Sequence, residues 1–253
     1  MSTIRQFTFL IAAETRVKGR LLKMSTVAGA LRDIRAGLGH AKLIAVSKTK
    51  PVEAILEAYA AGQRLFGESY VQELVKKAEA VQGVASDIEW HFIGHLQTNK
   101  ARDVAFIPNC VVQTVDSDRL ARRLSELRPD ELGPLRVMIQ INTSGELTKS
   151  GCTVEDAIEL AQVISALPRL RLIGLMTIGA PDASEYSFRA LVDARNVIEQ
   201  ALKLEEKLEL SMGMSSDYQL AVKMGADYVR VGSAIFGERT YSQQKGQLQN
   251  SDE

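Results

Sequence analysis

Residues Leu43 to Pro51 read L-I-A-V-S-K-T-K-P, an apolar run that ends in a lysine shortly before a proline. The apolar part, Leu43 to Val46, is typical of a short buried strand, and Pro51 is typical of the first turn of a helix. Lys48 therefore falls at the carboxyl end of a core strand, where burying its charge is costly. Desolvation lowers the pKa of a lysine and makes its amine a nucleophile toward aldehydes. Lys48 is thus a candidate Schiff-base lysine, and the alternative is a solvated lysine at a strand-to-helix turn.

Short apolar runs typical of strands alternate along the whole chain with segments whose apolar residues recur at a helical period. Strands are predicted at Leu43–Val46, Arg64–Phe66, Trp90–Ile93, Val111–Val115, Val137–Ile141, Leu172–Met176, Leu208–Leu210 and Tyr228–Val231. Helices are predicted at Val52–Ala61, Val71–Ala80, Arg119–Leu127, Val154–Leu167, Phe188–Leu202 and Tyr218–Met224. Roughly eight strand–helix units in about 250 residues predict an α/β protein, a single (β/α)8 barrel of TIM type. An open doubly wound sheet is the rival, and the lack of Gly-x-Gly-x-x-Gly after the first strand weakens it.

Composition narrows the class of protein. The chain has 253 residues, 45% of them hydrophobic, and its 31 basic side chains balance 31 acidic ones. Such a balance favours neither nucleic acid nor an anionic membrane as a partner. Cys110 and Cys152 are the only cysteines, which suits a reducing cytoplasm and excludes a disulfide framework. We find no apolar run long enough to span a bilayer.

Both ends of the chain are expected to lie outside the barrel. Residues 1–23 are basic and poor in acid, and Met24 precedes the first well-patterned helix, so we expect a weakly ordered extension before a natural start at Met24. The barrel is predicted to occupy residues 24–240. Residues 241–253 are polar and are expected to fray.

The residues that follow the predicted strands define the expected functional rim, because barrel proteins carry function at the carboxyl ends of their strands. Ser215 or Ser216 is expected to cap the helix that begins near Tyr218. Free N–H groups there, and at Gly232 and Ser233, favour a bound phosphate. The alternative is ordinary capping by serines and tight turns at glycines.

Arg230 is a second unusual charge, since it lies between Val229 and Val231 in a strand that should be buried. If the valines face the helices, side-chain alternation points Arg230 into the barrel. A buried guanidinium needs an acceptor. We consider either an ion pair with a barrel carboxylate such as Glu68 or a ligand contact near the mouth.

The histidines do not indicate a metal site. His91 and His95 are four residues apart on a predicted strand and turn, so they do not share a face as helical metal ligands would. We expect His91 to be a structural core histidine and His95 to face the mouth. Cys152 is treated as incidental.

Seven ordered segments, spanning about residues 43 to 239, resemble the pyridoxal phosphate homeostasis protein family. They are A-V-S-K-T-K-P at Ala45, F-G-E-S-Y-V-Q-E at Phe66, W-H-F-I-G-H-L-Q at Trp90, M-I-Q-I-N-T-S-G-E at Met138, G-L-M-T-I-G at Gly174, L-S-M-G-M-S at Leu210 and R-V-G-S-A-I-F-G-E-R at Arg230. The resemblance implies a barrel similar to the N-terminal domain of alanine racemase, of fold-type III. It also implies pyridoxal 5'-phosphate as the cofactor.

The resemblance implies a role for each matching residue. Lys48, and not Lys50, would carry the cofactor as a Schiff base, and Ser215, Gly232 and Ser233 would bind its phosphate. Arg230 would lie by the pyridine nitrogen. We extend the predicted cofactor site to four further rim residues, which are Met214, Met176, His95 and Ser69. Ser69 replaces an asparagine usual in the family, which puts that residue's contact in doubt.

The resemblance further implies a carrier of the cofactor in intracellular homeostasis, without assigned turnover. An arginine by the pyridine nitrogen disfavours its protonation and weakens the ring as an electron sink. We also expect no room for the second, β-rich domain of racemases. Expected partners are pyridoxal phosphate, other B6 vitamers and apoenzymes that need the cofactor, with the protein a monomer. The alternatives are a fold-type III racemase or decarboxylase, with weak racemase-type turnover left open, and a cofactor-free Schiff-base aldolase. Lys149 could relay cofactor or be a solvated loop lysine.

Overall fold

A computed structural model describes residues 26–145 and 150–238, which form a closed barrel of eight parallel strands in chain order. The strands are β1 Lys42–Val46, β2 Leu65–Glu68, β3 Glu89–Phe92, β4 Cys110–Val115, β5 Leu135–Gln140, β6 Leu170–Met176, β7 Glu209–Ser211 and β8 Tyr228–Val231. Every predicted strand is confirmed, with ends that differ by two residues at most. The predictions for residues 1–23 and 241–253, and that for Lys149, lie outside the described residues.

Helices cover the outside of the barrel. They are α1 Val27–Arg35, α2 Val52–Ala60, α3 Val71–Val81, α4 Ala101–Ala105, α5 Asp118–Leu127, α6 Val154–Ser165, α7 Ser184–Leu202, α8 Tyr218–Lys223 and α9 Ser233–Phe236. The predicted helices are confirmed, and Thr26 caps α1 by accepting the N–H of Gly29 at 3.1 Å. Helices α4 and α9 were not predicted, because five and four residues are too few to display a helical period.

Side-chain alternation along each strand separates two layers. Outward-facing side chains such as Leu43, Phe66 and Val229 are buried in one large apolar cluster with the helices. The inward-facing apolar side chains form a separate small cluster of Ile44, Met138, Met176 and Tyr228. The barrel interior also buries polar and charged side chains, among them His91, Gln113, Ser211 and Arg230. This barrel is therefore filled partly by hydrogen-bonded groups, where branched apolar residues usually dominate.

Gly94, which follows β3, brings the backbone of two neighbouring strand ends into close contact. A Cβ at Gly94 would lie 2.0 Å from the carbonyl oxygen of Ser69, which is backbone and cannot swing away. We expect Gly94→Ala to lower the free energy of unfolding by about 1–3 kcal/mol, measured by urea denaturation. Gly83→Ala is the matched control, because a Cβ there meets nothing within 4 Å, and it should change stability by less than about 0.5 kcal/mol. Equal losses in the two variants would contradict this account.

Candidate functional site

A cavity of about 170 Å³ opens at the carboxyl ends of strands β1, β7 and β8. Its lining residues are Val46, Lys48, Lys50, Ile93, Met214, Ser215, Arg230, Gly232, Ser233 and Gly237. The structure thus brings together the predicted Lys48, Met214, Ser215, Arg230, Gly232 and Ser233. Within residues 26–145 and 150–238, the side chains that line this cavity include no carboxylate.

The turn that carries Lys48 is held on both sides by helix α3. The carbonyl of Ser47 accepts a hydrogen bond from Lys77 Nζ at 2.9 Å. On the other side, the N–H of Thr49 donates to Glu73 Oε2 at 2.8 Å. Thr49 has a φ of 64°, a left-handed conformation that is costly for a β-branched residue. The neighbouring helix therefore stabilises a backbone shape that this turn would not favour alone.

Glu68 and Lys77 form a buried ion pair beneath this turn. Lys77 Nζ lies 2.9 Å from Glu68 Oε1 and 2.8 Å from Glu73 Oε2, and the Ser47 hydroxyl donates to Glu68 at 2.6 Å. Burial raises the pKa of Glu68, and Lys77 and Ser47 oppose that rise. The suggested ion pair of Glu68 with Arg230 is wrong. The Glu68 carboxylate meets α3 on the outside of the barrel, while Arg230 points into the interior.

The second lysine of the cavity, Lys50, is held by backbone carbonyls. Lys50 Nζ donates to the carbonyl oxygens of Phe236 at 2.9 Å and Glu238 at 2.8 Å. These two hydrogen bonds fix the Lys50 side chain against the backbone at and after the end of helix α9. The assignment of the Schiff base to Lys48 stays the prediction made from the family resemblance.

Ser215, Gly232 and Ser233 converge on one wall of the cavity. The Ser215 hydroxyl oxygen lies 3.2 Å from Ser233 Oγ and accepts the N–H of Gly232 at 3.4 Å. A Cβ at Gly232 would lie 3.1 Å from the carbonyl oxygen of Val46, so a side chain there would crowd β1. Two hydroxyls and a nearby backbone amide offer the kind of donors that phosphate oxygens accept.

The predicted capping of helix α8 by Ser215 or Ser216 is wrong. Asp217 occupies the N-cap position, and its side chain makes no hydrogen bond to the helix. It instead accepts the N–H of Met214 at 2.7 Å, which closes the turn before the helix. The hydroxyl of Ser215 is consequently turned toward Ser233 and not toward the helix.

Arg230 points into the barrel, as predicted, and is buried with 4% of its surface exposed. Its Nη1 donates to Ser211 Oγ and its Nη2 to the carbonyl oxygen of Thr177, both at 2.8 Å. Burial lowers the pKa of Arg230 to about 10, while Asp217 acts to raise it. The guanidinium is therefore a fixed cation at neutral pH, at the floor of the cavity.

The other predicted site residues do not line this cavity. Met176 is fully buried among the inward-facing apolar side chains. Ser69 lies in the turn between β2 and α3, and its backbone contacts the position of Gly94. His95 is exposed at the rim, where its Nδ1 lies 3.7 Å from Asp116 Oδ2. Contacts of Met176, Ser69 and His95 with a cofactor stay predictions.

His91 is confirmed as a structural histidine. It is fully buried, with Nε2 2.7 Å from Glu89 Oε1 and Nδ1 2.8 Å from Gln113 Nε2. The cysteines are also unsuited to chemistry, because burial raises the thiol pKa of both Cys110 and Cys152 to about 12. In the described part of the chain, no His, Cys, Asp and Glu side chains group closely enough to hold a metal ion.

Sequence reasoning did not find Lys77, Gln113 or Ser211. Lys77 sits at a buried position of α3, and its position on the inner face of that helix was the available signal. Gln113 interrupts the apolar strand β4, and such a polar residue in a buried strand requires a partner. Ser211 lies within the L-S-M-G-M-S segment, whose later serine drew attention first.

Comparison with known proteins now places this barrel. Residues 24–240 match the family model described as alanine racemase, N-terminal domain. A protein of Vibrio alginolyticus named pyridoxal phosphate homeostasis protein is 50% identical over 208 residues, which are 79% of this chain and 88% of that protein. A Schizosaccharomyces pombe protein of the same name is 44% identical over 228 residues, covering 85% and 94%. The chain belongs to the pyridoxal phosphate homeostasis protein family.

A solved structure supports the same grouping. The structure of PipY from Synechococcus elongatus with pyridoxal phosphate bound is similar at a TM-score of 0.75 and 37% sequence identity. The match covers 84% of this chain and 100% of PipY. Among the residues the structure describes, no helix has the length and apolar character needed to cross a membrane.

Proposed function

We propose that this protein binds pyridoxal 5'-phosphate on Lys48 as a Schiff base and serves cofactor homeostasis by storing and delivering it. One observation carries the proposal. A single cavity combines the Lys48 turn, the Ser215–Ser233 wall and the Arg230 guanidinium. Each matches one part of that ligand, namely the aldehyde, the phosphate and the ring.

The donor set of the cavity suits this cofactor. Pyridoxal phosphate carries a dianionic phosphate and a ring nitrogen with a lone pair, and the hydroxyl, amide and guanidinium groups of the cavity all donate. When bound, the cofactor supplies an aldehyde that combines reversibly with amines and a ring that can accept electrons. Ser215, Gly232 and Ser233 would hold the phosphate, and the Lys48 amine would hold the aldehyde.

Arg230 favours a carrier over a catalyst. Hydrogen bonds to Ser211 and Thr177 fix its guanidinium in place. A charged guanidinium has no acceptor atom, so it cannot take up a proton. A cation beside the ring nitrogen disfavours ring protonation, and an unprotonated ring stabilises carbanions poorly. The relatives are named for homeostasis, which agrees with this inference.

The proposal extends to partners and location. The protein works in the cytoplasm as a monomer, accepts pyridoxal phosphate and other B6 vitamers that carry the aldehyde, and passes cofactor to apoenzymes. The neutral balance of charge and the two unpaired cysteines are compatible with that setting. Sedimentation of the loaded protein tests the oligomeric state.

Absorbance and transfer measurements test the proposed function. Purified protein titrated with pyridoxal phosphate should develop a yellow band that borohydride removes. Loaded protein mixed with an apoenzyme that needs the cofactor should restore that enzyme's activity as the band declines. A protein that stays colourless after titration would sink the proposal. Conversion of single-enantiomer amino acids at enzymatic rates would favour a racemase instead.

A further inference from the structure

A continuous chain of hydrogen bonds runs down the barrel interior from Arg230. Arg230 Nη1 donates to Ser211 Oγ at 2.8 Å, and the Ser211 hydroxyl donates to Gln113 Oε1 at 2.7 Å. Gln113 Nε2 lies 2.8 Å from His91 Nδ1, and His91 Nε2 lies 2.7 Å from Glu89 Oε1. This series of hydrogen bonds therefore connects strands β8, β7, β4 and β3 from the cavity floor toward the amino end of the barrel.

The direction of each bond is fixed by its neighbours. Because the Gln113 oxygen accepts from Ser211, its amide group faces His91 Nδ1, which must then be an acceptor. The His91 proton consequently resides on Nε2 and is donated to Glu89. Flipping the Gln113 amide would require a proton on Nδ1 and, opposite the Glu89 carboxylate, a second on Nε2. Burial lowers the pKa of His91, which disfavours that charged form.

A carboxylate anchors the end of the hydrogen-bond series that lies farthest from Arg230. Glu89 Oε2 accepts from Arg136 Nη1 at 2.8 Å, and the Tyr228 ring packs 5.4 Å from the His91 ring. Burial would raise the pKa of Glu89, but the hydrogen bonds from His91 and Arg136 lower it to about 2. Glu89 is therefore ionised at neutral pH and serves as a permanent acceptor for His91.

We propose that Gln113 and His91 are positioning residues that hold the Arg230 guanidinium in register with the cofactor ring, although neither lines the cavity. The proposal rests on the proposed function, because it assigns these residues to the cofactor site. The physical reason is the Ser211 hydroxyl. If Gln113 no longer accepts its proton, the Ser211 hydroxyl loses the partner that fixes its rotation, and the oxygen that accepts from Arg230 is no longer held in one orientation.

Gln113→Met removes both bonds of Gln113 at similar volume. We expect an affinity for pyridoxal phosphate weaker on the order of tenfold and a shifted absorbance band. Nitrogen NMR of the protein without cofactor should show His91 as the Nε2–H tautomer in the wild type. In the variant Glu89 still accepts from Nε2, so the tautomer should persist, while the Nδ1 resonance should move because Nδ1 has lost its donor. The chain has three histidines, which makes the assignment tractable.

Two further variants separate positioning from general damage to the fold. In the Arg230→Met background, Gln113→Met should weaken binding little further, because it acts through Arg230. Gln113→Glu keeps an acceptor for Ser211 and should lose less affinity than Gln113→Met. It should also drive His91 to the charged form, since the imidazole then lies between two carboxylates.

Gln140→Met is the matched control. Gln140 is equally buried, at the end of the neighbouring strand β5. Its amide donates to the carbonyl of Ser150 and takes no part in the hydrogen bonds that lead from Arg230 to Glu89. The Gln140→Met variant should retain wild-type affinity and the wild-type Nδ1 resonance of His91. A coloured wild type with unchanged binding in Gln113→Met, or full additivity with Arg230→Met, overturns this inference alone. A wild type that fails to bind cofactor overturns the proposed function and this inference together.

Discussion

Lys48→Ala is expected to abolish the yellow band and any adduct that borohydride can fix, whereas Lys50→Ala should retain both with weaker affinity. The amine of Lys50 is held in place by hydrogen bonds to the carbonyls of Phe236 and Glu238. Lys48 lies on the turn that α3 holds in shape, at the wall of the same cavity. Absorbance titration followed by reduction and peptide mass analysis measures the outcome.

The paired lysines make this result decisive. Both line one cavity, and both replacements remove one lysine amine from it. A general loss of attraction for phosphate would therefore affect the two variants alike. A fixed adduct on Lys50 in the wild type, or an intact band in Lys48→Ala, would refute the assignment of Lys48.

Lys77→Met is expected to lower the free energy of unfolding by about 3–5 kcal/mol, because it leaves the buried Glu68 carboxylate without its cationic partner. The loss also releases the carbonyl of Ser47, so the Lys48 turn should form its adduct more slowly. Urea denaturation and stopped-flow absorbance measure the two effects separately.

Two controls accompany the Lys77 experiment. Lys76→Met removes an exposed charge from the same helix and should change stability by less than about 0.5 kcal/mol. A second replacement, Glu68→Leu, in the Lys77→Met background should recover much of the stability, because no buried charge then lacks a partner. If Lys77→Met were as stable as Lys76→Met, the buried pair would not stabilise this turn.

The sequence was sufficient for the barrel and for most of the cavity. Strand periodicity located β1 through β8 because both sheet faces are buried and each strand is a short apolar run. The residues after the strands then met at one rim by the geometry of a closed parallel barrel. Alternation along β8 was enough to point Arg230 inward, since Val229 and Val231 had to face the helices.

The sequence did not show which buried polar side chains would pair with one another. Glu68 and Arg230 both belong to buried strands, but the predicted second strand ended at Phe66, so alternation assigned no face of the sheet to Glu68. The hydrogen bonds from Arg230 to Glu89 join four strands through side chains up to 141 positions apart. Only the closed barrel sets the strand register that brings these side chains together. Asp217 displaced the serines as N-cap because a turn closed by Met214 moved the helix start.

The donor-lined cavity sits in a chain whose charges balance at 31 against 31, and this contrast determines how a dianion would reach it. A protein without net charge offers no long-range field, and at physiological ionic strength the pull of the mouth fades over about 8 Å. Encounter would then depend on diffusion and collision at the rim, with a rate that changes little with salt. Discrimination among phosphorylated metabolites would then depend on how well the aldehyde fits the cavity after entry.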